Sequence, residues 1–151
     1  MSYDSTVDAK KHIKEIQKVI NYLMVKELEK RAKEHDQSKL HNPEKACYDK
    51  YIPLLRTAKY GSKEYEEIRD KMFNEGLKHH YEANRHHPEH FKNGINDMTL
   101  IDVVEMFCDW YAASKNSDTG FEAGLKMNKN KFKMSDQLYQ IFKNTYDVYL
   151  K

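Results

Sequence analysis

Apolar residues recur every three to four positions along most of the chain, and strand-like alternation is hard to find. Ile13, Ile16, Val19, Ile20 and Leu23 share a stripe and predict a helix over 7–23. A second periodic stretch runs from Val25 to Asp36, with Leu28, Arg31 and Ala32 on one side. Pro43-Glu44 makes a good first turn for a helix over 43–58, whose apolar positions are Ala46, Cys47, Tyr51, Leu54 and Leu55. The Gly61-Ser62 pair predicts a break, and Ser62 is placed to cap a helix running to His87. Pro88 is expected to end that helix, because the residue before a proline avoids the α region. FKNGINDM reads as a loop around Asn93-Gly94. Thr99 opens the most apolar helix, TLIDVVEMFCDWYAAS, with Asp102 placed for a capping box, and NSDTG closes it. A loop rich in lysine (Lys126, Lys129, Lys131, Lys133) precedes a last helix capped by Ser135, with Leu138, Ile141, Phe142 and Val148 as its apolar face. The pattern predicts an all-α, single-domain bundle of about six helices spanning the chain.

Composition narrows the class. A length of 151 residues suits one domain with a real core. A charged fraction of 33% and a mean hydropathy of -0.96 point to a soluble protein. The apolar runs are too short for a membrane-spanning helix. MSYDSTVDAKKHIKEI has no apolar segment of the kind a secretory signal needs. A net charge of +2 gives no global pull toward nucleic acid or membrane. Cys47 and Cys108 are far apart and form no CxxC pair, so they read as reduced thiols in a cytoplasmic protein.

Three places hold polar residues that a plain bundle does not need. In EHDQSKL, His35 and Asp36 are adjacent and Lys39 follows His35 by one helical turn. The stretch HHYEANRHHPEH places five of the chain's 8 histidines within residues 79–90. If residues 63–87 are helical, His79 and His86 share one stripe, and His80, Asn84 and His87 share the next. Both stripes end at Pro88, where imidazoles from two faces can converge on a cation such as Zn, Fe, Mn, Co or Ni. Their second ring nitrogens then need acceptors, with Glu82, Asn84 and Glu89 close by in sequence. Third, Asp109 sits among Met106, Phe107, Cys108 and Trp110, where an isolated carboxylate is expensive unless paired or bound to a cation. Asp102, two turns earlier on the same helix, reads as part of a polar face toward water.

Taken in order, His12, His35-Asp36, His79 or His80, His86-His87 and Asp109 resemble the HD superfamily of metal-dependent phosphohydrolases. EHDQSKLHNPE resembles the HDxGK segment of its two-metal HD-GYP branch, and CDWYAA that branch's closing Asp. The GYP tripeptide is absent, FKNGI standing in its place. HDxSKL, HYxxNxHHPEHF and EMxCDWxAA together are most similar to a small family of bacteria and their phages. The likeness spans residues 12–113 and leaves a C-terminal basic loop and helix over 120–151.

The resemblance implies one or two divalent transition metal ions. Asp36 would be shared between the two; His35, Asp109 and His12 would complete one, and His80, His86 and His87 would serve the other. Lys39, Asn84 and Arg85 would contact substrate, and Glu105 would carry a proton or support a ligand. The implied activity is hydrolysis of a nucleotide or cyclic nucleotide by a metal-activated water, on nucleotide pools or defence signals if the chain is phage-encoded. A metal-stabilised binding protein without hydrolysis and a helical interaction module are the other readings. No membrane or strong nucleic-acid partner is expected, and a homo-oligomer remains open.

Overall fold

The computed structural model describes residues 5–59, 62–115 and 119–151. Every regular element among them is helical, so the chain is all-α. It divides into two compact units, Met1–His35 and Asp36–Lys151.

The first unit is a continuous rod, where the sequence pattern predicts two helices. Helix α1 (Thr6–Ile20) passes through a π-helical turn (Asn21–Glu27) directly into α2 (Leu28–Glu34). No glycine or proline falls between residues 5 and 34, so nothing breaks the backbone hydrogen bonding. The wider turn advances the phase of the side chains, which is why the apolar stripe reads as two separate patterns. His12 lies at the middle of α1, a helix with no buried residue. The rod ends at His35, whose ψ of 125° leaves the helical region.

The second unit contains α3 (Glu44–Thr57), α4 (Lys63–Met72), α5 (Lys78–Ala83), α6 (Leu100–Ser114), α7 (Gly120–Lys131) and α8 (Asp136–Tyr149). A π-helical turn, Phe73–Leu77, joins α4 to α5. The expected caps are present. The side-chain oxygens of Ser62 and Ser135 accept from the Tyr65 and Leu138 amides at 3.1 and 3.2 Å. Thr99 and Asp102 form a complete capping box. Gly61 and Asn116-Ser117-Asp118, read as a break and a terminator, lie outside the described residues.

Two expectations fail at the C-terminal end. The lysine-rich segment is a helix: Lys126, Lys129 and Lys131 lie on α7, and Lys133 follows it at a φ of 51°. Phe121 and Leu125 supply α7 with a buried face, and the ammonium groups of Lys129 and Lys131 lie over the Tyr139 and Phe132 rings. Ile141 and Val148, expected inside, are 51% and 69% exposed, and α8 instead turns Leu138, Tyr139, Phe142 and Tyr146 toward the core.

Apolar burial is divided between two clusters. Met106, Phe107, Phe121, Leu125, Met134 and Phe142 form one, drawn from α6 to α8. Cys47, Tyr51 and Met72 form the other, between α3 and α4. Gly76 permits this second contact, because a Cβ there would stand 2.5 Å from the Cys47 Cβ and 2.8 Å from its sulfur. Removing a helical glycine gains about 0.5–1 kcal/mol through chain entropy, whereas overpacking costs about 1–3 kcal/mol. Gly76→Ala is therefore expected to lower the Tm. A thermal melt showing an equal or higher Tm would mean that α3 does not approach this turn so closely.

Candidate metal centre

Asp36 begins the second unit in the left-handed conformation, φ 56° and ψ 14°. Aspartate is one of the few residues with a side chain that visits this region, so the turn can be made without glycine. Lys39, one 3-10 turn later, donates from its backbone nitrogen to the Asp36 carbonyl at 2.9 Å and from Nζ to Oδ2 at 2.5 Å. The carboxylate is thus gripped by one oxygen while Oδ1 faces the histidines. The sequence reading places Lys39 on a substrate phosphate; the structure places it on Asp36.

The histidine-rich segment does not form the two predicted stripes. Helix α5 stops at Ala83, and Asn84 is extended at φ −116° and ψ 114°. The Asn84 amide group donates to the His80 carbonyl at 2.9 Å, closing the helix locally. His87 is held extended (φ −93°, ψ 126°) by the proline that follows it. His86 and His87 are therefore loop residues, and the loop rather than a helix face brings them back toward His80.

The ring nitrogens converge. His80 is 1% and His86 2% exposed. His80 Nε2 lies 2.8 Å from His87 Nε2 and 3.5 Å from Asp36 Oδ1, and His86 Nε2 lies 3.5 Å from the same oxygen. Asp36, His80, His86 and His87 each offer a ligand atom within 4.8 Å of the others'. Asp36, His86 and Asp109 do the same on another side, with Asp109 half-buried on α6. Two nitrogens bound about 2.1 Å from one cation in a four- to six-coordinate shell stand about 3 Å apart, so the donor set fits a transition metal. Burial, then the nearby Lys39 ammonium, lowers the pKa of His80. Burial, then the His86 and His80 rings, lowers that of His87 to about 3. Both rings are neutral at pH 7 and keep the lone pair that ligation requires.

Around these atoms stands a set of buried acceptors. Glu105 Oε1 lies 3.2 Å from His86 Nδ1, so Glu105 orients a ring and does not face the convergence point. Glu44 is completely buried at the start of α3 and meets His79 Nδ1 at 2.7 Å, His80 Nδ1 at 2.9 Å and Ser38 Oγ at 2.9 Å. Asn84 donates to Ser38 Oγ at 2.7 Å, so it braces the site, where the sequence reading gives it a substrate contact. Sequence reasoning missed Glu44, whose partners among the histidines are 35 and 36 residues away. The only local sign is its place in LHNPE, immediately after the EHDQSK segment.

Asp102 does not lie on the polar, water-facing side of α6 that the sequence predicts. It is 0% exposed and accepts from Arg85 Nε at 3.1 Å and Nη2 at 2.9 Å. Arg85, expected on substrate, joins the histidine loop to α6 and lies over the Phe91 ring. His35 closes the first unit and is bonded to Asp36; His12 belongs to α1 of that unit.

Residues 1–148 match one family along nearly their whole length. The chain belongs to the family of unknown function DUF5662. No curated protein and no solved structure matches it. Membership in DUF5662 brings no assigned chemistry, so the site's geometry carries the functional argument. Among the described residues, no helix is long and apolar enough to cross a membrane.

Asp102 gives a pH prediction. Burial pushes its carboxyl up, but the Arg85 pair and the Thr99 hydrogen bonds outweigh that and hold it at about 2, below the ordinary 3.8. A depressed pKa stabilises the fold fully above the unfolded value, and the gain is lost as pH falls through the folded one. The stability gap between wild type and Asp102→Asn is expected to be constant above about pH 5 and to shrink by roughly 2 kcal/mol toward pH 2. Urea unfolding at a series of pH values reads this gap, and a gap independent of pH would rule out the ion pair.

Proposed function

We propose that the second unit binds a divalent transition metal through Asp36, His80, His86 and His87, and that the protein is a metal-dependent phosphohydrolase of a nucleotide or cyclic nucleotide. The observation that carries this reading is the convergence of three imidazoles and a carboxylate within 4.8 Å. Imidazoles whose far nitrogens meet carboxylates, as those of His80 and His86 meet Glu44 and Glu105, are the usual supporting arrangement for such ligands. Asp109, on the other side of Asp36 and His86, would extend the donor set toward a second ion. Mn, Fe, Co, Ni and Zn all suit this mixture of nitrogen and oxygen donors.

When bound, a divalent cation supplies Lewis acidity: it lowers the pKa of a water and neutralises charge on a phosphoryl group. The chain's own residues prepare for this. Lys39 holds Asp36 by Oδ2 and leaves Oδ1 toward the imidazoles. Glu105 fixes the His86 ring, and the Arg85–Asp102 pair anchors the loop that carries His86 and His87. The site is not sealed. The Asp36 side chain is 20% and that of Lys39 34% exposed, which supports access of a substrate over a wholly enclosed structural ion.

The test is the metal content of untagged protein by plasma mass spectrometry, followed by phosphate release from nucleotides and cyclic dinucleotides. About one or two equivalents of metal are expected, with Asp36→Ala losing the metal and more than about 100-fold of the hydrolysis rate. Less than about a tenth of an equivalent, unrestored by added Mn, Fe or Zn, would sink the reading.

A further inference from the structure

We propose that Glu44 is the positioning residue of this site: its one carboxylate sorts the adjacent histidines, making His80 a ligand and His79 a brace. The inference deepens the metal-binding reading above and rests on it for the word ligand, but its geometric content stands alone.

An ionised carboxylate only accepts hydrogen bonds. Oε1 of Glu44 meets His79 Nδ1 at 2.7 Å, and Oε2 meets His80 Nδ1 at 2.9 Å. Asn84 Nδ2 also stands 3.0 Å from His80 Nδ1, but its two hydrogens go to Ser38 Oγ and the His80 carbonyl. Each ring therefore places its hydrogen on Nδ1, and a neutral imidazole then carries its lone pair on Nε2. For His80 that nitrogen lies 3.5 Å from Asp36 Oδ1 and 2.8 Å from His87 Nε2, in the convergence of donors. The His79 side chain is 51% exposed and takes no part in that convergence. The same carboxylate gives neighbouring residues opposite roles.

The carboxylate is itself held in a defined polarity. Asn84 Nδ2 donates to Ser38 Oγ at 2.7 Å, so the Ser38 hydroxyl hydrogen is left for Glu44 Oε2 at 2.9 Å. Ser38 lies in the 3-10 turn that Asp36 opens, Glu44 begins α3, and Asn84 ends α5. The brace thus ties the turn bearing Asp36 to the helix bearing His80.

The experiment reads the histidine tautomers of the metal-free protein by long-range nitrogen–proton NMR at alkaline pH, and zinc affinity by competition with a chelator. In wild type, His79 and His80 are both expected as Nδ1–H. In Glu44→Gln the amide can keep its oxygen toward Ser38 and His80 and turn its NH2 toward His79. His79 alone should then switch to Nε2–H, and zinc affinity should stay within about threefold. In Glu44→Leu the acceptor is gone; His80 should lose its Nδ1–H preference and zinc should bind about 10–100-fold more weakly, with circular dichroism confirming the fold. Nε2–H at His80 in wild type, or equal zinc affinity in wild type and folded Glu44→Leu, overturns the proposal. If Glu44→Leu does not fold, the wild-type and Glu44→Gln tautomers still decide it. Failure of the wild type to bind any metal would remove the phosphohydrolase reading, while the tautomers would still judge Glu44.

Discussion

Among the described residues of the second unit three carboxylates, Glu44, Asp102 and Glu105, are buried, and the arrangement around the site follows from satisfying them. A lone ion moved out of water costs several kcal/mol, and it is tolerated only with a partner and filled hydrogen-bonding positions. Asp102 has Arg85 and the Thr99 cap, Glu105 has the His86 ring, and Glu44 has His79, His80 and Ser38. These pairs join what apolar packing leaves apart. Glu44 stands on α3, whose Cys47 and Tyr51 belong to one apolar cluster, while Asp102 and Glu105 stand on α6, whose Met106 and Phe107 belong to the other.

The same logic reassigns several charged residues. Arg85 immediately precedes His86, so its bidentate grip on Asp102 fixes the start of the loop that returns two imidazoles to His80. Asp102 serves twice, since the oxygen that meets Arg85 Nη2 also accepts from the Thr99 amide. Lys39, one turn after Asp36, restrains a carboxylate whose backbone is already committed to the left-handed region. Each is a cation or cap holding a donor in place, at a distance of one residue or one turn from the atoms that converge.

What was legible in the sequence was local. The caps at Ser62, Thr99 and Ser135 depend on residues three positions away, and all three form as read. That Asp36, His86, His87 and Asp109 come together with one of His79 and His80 was also legible, because few other roles suit that many imidazoles and an acid beside Trp110; which of the two adjacent histidines joins them was not. The path by which they meet was not. It depends on Asn84 closing α5 four residues before the proline does, a choice made by a side-chain hydrogen bond and not by propensity. Glu44 was invisible because its role is set by contacts across some 35 residues, and a glutamate in a first helical turn has an ordinary explanation. Helix α7 was missed because lysines suggest a solvated loop when the two apolar residues that bury its face, Phe121 and Leu125, are not weighed with them.

The electrostatics of the site bear on what it can hold. Asp36, Glu44, Glu105 and Asp109 all bring negative charge, Lys39 is paired to the first, and Arg85 is balanced by Asp102. The neutral His80 and His87 rings do not offset it. Such a field favours a cation and opposes a phosphate, and in partly buried surroundings the repulsion is weakly screened. A phosphorylated substrate, as proposed, would need a bound cation to offset this charge. In the proposed reaction, phosphate binding and hydrolysis would both require the metal, so a phosphate ligand that bound equally well to metal-free protein would have to sit elsewhere on the chain.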